Sequence, residues 1–87
     1  MAMKKQTPES TEPQMVLRWL FRQKDRLLTC GISRAAGAAF EVVTVPHWDI
    51  RSASVERFSC AMKALERHAE IAASLRESGW SGTAYTR

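Results

Sequence analysis

The chain has 87 residues, 45% of them apolar and 25% charged, with a net charge of +4. That length allows one domain with a small core, and the composition is that of an ordinary globular protein, which excludes a disordered or fibrous chain. No run of about 18 apolar residues is present, and the lysines of MAMKKQTPESTEP are not followed by an apolar segment, so neither a membrane span nor a secretion signal is expected and the cytoplasm is the expected location.

Residues 1–13 are rich in Lys, Thr, Pro, Glu and Ser and have no large apolar residue after Met3. Burial cannot offset their ordering entropy, so a disordered tail is expected. From Met15 to Phe21 two readings compete. As a strand, Leu17, Trp19 and Phe21 share one face and Arg18 and Arg22 the other; as a helix, Gln14, Arg18, Arg22 and Asp25 form a polar stripe. The strand is favoured, because aromatic residues dominate and the polar QKDR after it reads as a hairpin turn.

Arg26 to Arg34 sets Leu28, Cys30 and Ile32 against Thr29, Gly31 and Ser33, the alternation of a half-buried strand. Ala35 to Ala38 supplies a turn around Gly37, and Phe40 to Val45 is a β-branched third strand closed by Pro46. His47, Trp48 and Asp49 connect to a weaker alternation from Ile50 to Phe58, where Ser52 or Ser54 alternatively caps a longer helix.

The clearest period lies between Phe58 and Trp80. Ala61, Leu65, His68, Ala72 and Leu75, with Ala64 and Ile71, make an apolar stripe opposite Lys63, Glu66, Arg67, Glu70, Ser74 and Glu77. Ser59 is placed to cap this helix and Gly79 to end it, with Trp80 meeting Leu75 across the ending. Residues 81–87 are small and polar except for Tyr85, and a mobile tail is expected. The fold class is therefore α+β: an antiparallel meander of three or four strands followed by one amphipathic helix (ββββα), in two layers, occupying residues 14–80.

The pieces WLFRQKDRLLTCGI, AFEVV, VERF and LRESGW resemble a loose group of small uncharacterised bacterial proteins. Trp19, Leu28, Cys30, Phe40, Glu41, Val42, Arg57, Phe58, Gly79 and Trp80 carry the likeness. The resemblance implies a bacterial source and the same strand-rich fold with a closing Gly-Trp; it implies no activity.

Little in the chain reads as chemistry. His68 sits in the apolar stripe with no carboxylate or second histidine at i+3 or i+4 on that face, so a structural imidazole is expected. Cys30 and Cys60 lack CxxC spacing and a readable base, so buried or structural thiols are expected, without disulfide, metal or cofactor. No phosphate loop, HExxH, GxSxG or paired-carboxylate motif occurs, and an enzyme is not expected.

The basic charge is concentrated. Between Met15 and Arg34 five cations stand against Asp25 alone, whereas Ser59 to Trp80 is balanced. Five cations on a strand pair usually form a solvated face. Arg18, Arg22, Lys24 and Arg26, interleaved with Trp19 and Phe21, are nevertheless the candidate nucleic-acid contacts of an alternative reading, in which a helix at residues 15–24 would give the element order of a double-stranded-RNA-binding domain. The favoured reading is a non-catalytic protein-interaction module that forms a homo-oligomer, most simply a homodimer. One helix covers one sheet face, leaving Val43 and Val45 on the other if Phe40 and Val42 face the helix. Trp19 and Trp48 join them as candidate partner contacts, since both need not be in so small a core.

Overall fold

A computed structural model describes residues 14–85, so the expectation of a disordered segment at 1–13 lies outside the described residues. Five strands and one helix follow in order: β1 Gln14–Gln23, β2 Arg26–Ala35, β3 Ala39–Pro46, β4 Ser54–Phe58, α1 Ala61–Glu77 and β5 Ser81–Tyr85. Short 3-10 turns occupy Ala36–Ala38 and Ile50–Ser52. The strands form one sheet in the order β4-β3-β2-β1-β5, every neighbouring pair antiparallel, and the helix lies on one face. This is the α+β two-layer arrangement that the alternation and the helical period predict.

The period of two decides β1. Phe21 has no solvent exposure and lies beside Leu28 of β2, Trp19 lies beside Cys30, and Leu17 beside Ile32, so the aromatic row enters the core only if the segment is extended. A bulge between Met15 and Leu17 inserts Val16 and shifts the phase, placing Met15 opposite Ser33 on the other face from Leu17. Phe21, Leu28, Cys30, Ile32 and Val42 are the buried sheet contribution to the core.

From the helix come Ala64, His68 and Ala72, all buried, with Ile71 and Leu75 beside them. Two alanines at the contact bring the helix axis close to the sheet. Leu65 departs from the expected stripe: it is 48% exposed, because the helix is turned so that Ala64, rather than Leu65, faces the strands. The start also differs from expectation. Cys60, with extended backbone and no side-chain hydrogen bond, occupies the cap position expected for Ser59.

The end is as expected. Gly79 has φ +97°, its N–H donates to the Arg76 carbonyl at 3.0 Å, and the Trp80 N–H donates to the Leu75 carbonyl at 3.0 Å, the two bonds of a Schellman ending. Gln23 Nε2 at the end of β1 also donates to the Ser78 carbonyl at 2.8 Å, tying the β1–β2 turn to the helix. Gly79→Val is expected to destabilise by at least about 1 kcal/mol, since a β-branched residue resists positive φ and its Cβ would lie 2.9 Å from Gln23 Nε2. Thermal unfolding checks this; an unchanged midpoint would refute it.

Residues 81–85 are the main departure. Instead of a mobile tail they form β5, paired with β1 from Arg22↔Ser81 to Arg18↔Tyr85. The physical reason is Gly82. It lies opposite Phe21, and a Cβ there would fall 2.5 Å from the ring, so only glycine lets the strand and the buried aromatic share that space.

Candidate functional site

With α1 on one side, the opposite face of the sheet carries no other element among the described residues. Register places its side chains in rows. Val55, Val43, Gly31 and Arg18 are in line across β4 to β1; Val45, Thr29 and Leu20 form the next row; Leu27 and Arg22 the one beyond. Toward the other end lie Arg57, Glu41, Ser33 and Met15. Val43, Val45, Leu20 and Leu27 are half-buried by one another, and Val55 is exposed.

The face thus carries apolar side chains on β1 to β4, with Thr29 and Gly31 on the central strand and polar side chains toward the Arg57 end. At that end Arg57 donates to Glu41 Oε2 at 3.3 Å and to the Ala36 carbonyl at 2.8 Å, and on the central strand the Thr29 hydroxyl, between Val45 and Leu20, lies 2.7 Å from His47 Nε2. Gly31 makes a low point near the middle, and the terminal methyl of Met15 lies over it. A flexible thioether covering a glycine is a surface that can repack against a partner.

The sequence-derived candidates separate in space. Val43 and Val45 lie on the open face, as expected. Trp19 does not: it is on the helix side, stacked on Phe21 (5.9 Å, 21°), edge-on to His68 (5.8 Å) and capped by the Arg76 guanidinium at 5.0 Å. Its pairing with Cys30 fixes that side, which removes Trp19 from the candidate contacts. Trp48 lies beyond the end of β3, 47% exposed, stacked on Trp80 (5.9 Å, 16°) with the Arg26 guanidinium 4.8 Å over its ring. The cations divide likewise: Arg18 and Arg22 point to the open face, Lys24 is in the β1–β2 turn, and Arg26 is held by Trp48.

Under the helix, His68 is 4% exposed and its Nε2–H donates to the Cys30 carbonyl at 3.2 Å. Burial holds its pKa below the usual 6.5, the backbone bond opposes that shift, and Arg76 adds to it. Burial pushes the Cys30 thiol up, against a weak 3.8 Å contact from the Thr44 hydroxyl, so it stays protonated and unreactive. Among the described residues no three His, Cys, Asp or Glu side chains gather to hold a metal ion, and no helix is long and apolar enough to cross a membrane.

The depressed His68 pKa has a measurable sign. Below pH 6.5 the unfolded chain binds more protons at this position than the folded one, so stability is full above that pH and falls as the pH drops through it. The slope is limited to about 1.4 kcal/mol per pH unit for one proton. The melting midpoint is expected to fall between pH 7.5 and pH 5.5, and to flatten in His68→Gln. A wild-type midpoint constant over that range would refute the assignment.

Sequence reasoning missed the Arg26–Trp48–Trp80 cluster. Trp48 and Trp80 are separated by β4 and α1, and no local pattern joins them. Comparison with known proteins finds no matching family model, curated protein or solved structure, so function is argued from the residues themselves.

Proposed function

We propose that this protein is a small non-catalytic module of the bacterial cytoplasm that works by contact, pairing with a second copy through its open sheet face. The observation that supports the reading is the set of apolar side chains on that face, Val43, Val45, Leu20, Leu27 and Val55, covered by no element among the described residues.

Area favours a second copy as the occupant. Five strands about 4.8 Å apart, averaging about eight residues at about 3.3 Å, present roughly 600 Å². Two such faces would bury about 1,200 Å², the lower limit of stable specific interfaces. A two-fold axis along the strands sets β1 of one copy over β3 and β4 of the other and keeps each row in place, so the stem of Arg18 lies over Val43 and Val55. Such pairing would also add a second apolar layer to a chain too short to bury more than about 60% of its unfolded surface.

Nucleic-acid binding by Arg18, Arg22, Lys24 and Arg26 as one patch is less favoured, because Arg18 and Arg22 lie on the open face, apart from Lys24 and Arg26 at the end of the sheet. Light scattering at low micromolar concentration is expected to give twice 9.8 kDa for the wild type and 9.8 kDa for Val43→Lys and Val45→Lys, with circular dichroism unchanged. A monomeric wild type, or a dimer indifferent to both substitutions, would overturn the reading.

A further inference from the structure

At one end of the sheet the β1–β2 turn, the connection after β3 and the residues after α1 converge. Lys24, the first residue of the two-residue turn between Gln23 and Arg26, has φ +57°, a conformation that Gly, Asn or Asp adopts at lower cost. A long cation held there against its backbone preference is the kind of local misfit expected where a side chain serves binding. Beside it the Arg26 guanidinium lies 4.8 Å over the Trp48 ring and, among the described residues, has no carboxylate partner.

Trp48 in turn is stacked on Trp80 yet 47% exposed. An open hollow of about 370 Å³ is lined by Gln23, Lys24, Asp25 and Arg26. The platform is anchored: Gln23 is bonded to the Ser78 carbonyl, and Trp80 is held by the helix ending. Two nearby acids, Asp25 and Asp49, stand against Arg22, Lys24 and Arg26, which leaves an excess of one positive charge, and Asp49 also accepts the Ser52 hydroxyl at 2.6 Å.

We propose that this end of the sheet binds single-stranded nucleic acid, with phosphates taken by the Arg26 guanidinium and Lys24 and a base packed against the exposed part of Trp48. A stacked arginine keeps its planar hydrogen-bonding edge free, which suits a phosphate. An aromatic platform beside tracking cations is how single strands are held without regard to sequence. An acidic peptide would use the cations and leave the indole without a role. The site lies at the end of the sheet and does not depend on pairing of the open faces.

The full chain, titrated into fluorescein-labelled oligothymidylate longer than a site of about 16 nucleotides, tests this by anisotropy and tryptophan quenching. Wild type is expected to bind at about 50 mM salt and to weaken steeply toward 200 mM. Trp48→Ala should cost about tenfold or more in affinity. Arg26→Gln and Lys24→Gly should each weaken binding and lower the slope of log K against log salt by about 0.7. Lys24→Gly separates binding from folding, since it relieves the backbone and should raise the melting midpoint while affinity falls. Absence of binding at low salt would overturn the proposal, as would affinity unchanged in Trp48→Ala and Lys24→Gly. Equal affinity for polyglutamate or for phosphatidylserine vesicles, without tryptophan quenching, would overturn it in favour of unspecific charge attraction.

Discussion

Gly31→Val is expected to destabilise the protein by about 3 kcal/mol, more than a surface substitution in a strand would. A Cβ at Gly31 would lie 2.6 Å from the Leu17 carbonyl oxygen and 2.8 Å from Met15 Cε. The methionine can swing away. The carbonyl cannot, because it belongs to the β1 backbone next to the bulge at Val16. Relief therefore requires β1 and β2 to separate at the centre of the sheet. A domain of this length is stable by roughly 4 to 13 kcal/mol, so the loss is a large fraction of the total. Gly37→Ala is the control: it has φ +74° but nothing within 4 Å of a Cβ, so only backbone strain of about 1 kcal/mol is expected. Urea unfolding of both variants decides the matter. A Gly31→Val midpoint no lower than that of Gly37→Ala would show that β1 yields easily and would refute the account.

Phe21→Ala should cost still more, about 3 to 5 kcal/mol, because the ring has no exposure and joins three parts of the fold. It lies beside Leu28, stacks on Trp19 and covers Gly82 of β5. The complementary change, Gly82→Val, attacks the same contact from the other side. It should release β5 without unfolding the helix. Hydrogen exchange is the discriminating measurement: amides of residues 81–85 are expected to lose protection in Gly82→Val while those of Ala64 to Leu75 keep theirs. Equal loss along β5 and α1 would mean that β5 is part of one cooperative unit, contrary to this prediction.

The contrast between β5 and α1 shows where sequence patterning stops being informative. Alternation in β1 and β2, the β-branched run of β3 and the three-four period of α1 are local consequences of which side chains need burial, and each element forms where its period says. Gly79 ends the helix for an equally local reason, its tolerance of positive φ. SGTAY carries no such signal. Its pairing with β1 depends on a ring 61 positions earlier finding space over Gly82, a fit visible only once both strands are placed.

The same division holds for the candidate sites. Once Phe40 and Val42 are assigned to the helix side, alternation alone sends Val43 and Val45 to the open face, and the register agrees. Trp19 could not be assigned by composition, because an aromatic surplus does not say which tryptophan the core takes; pairing with Cys30 and contact with His68 decided that. Leu65 was likewise left outside by a small rotation of the helix, set by how closely Ala64 and Ala72 let it approach the sheet. By itself, then, the sequence determined the strand and helix periods, the helix stop and the two faces of the sheet, since those follow from backbone preference and side-chain polarity over a few residues. The fifth strand, the packing of Trp19 on the helix side and the meeting of Arg26, Trp48 and Trp80 were decided only by the tertiary structure, because each depends on steric fit between segments distant in the chain.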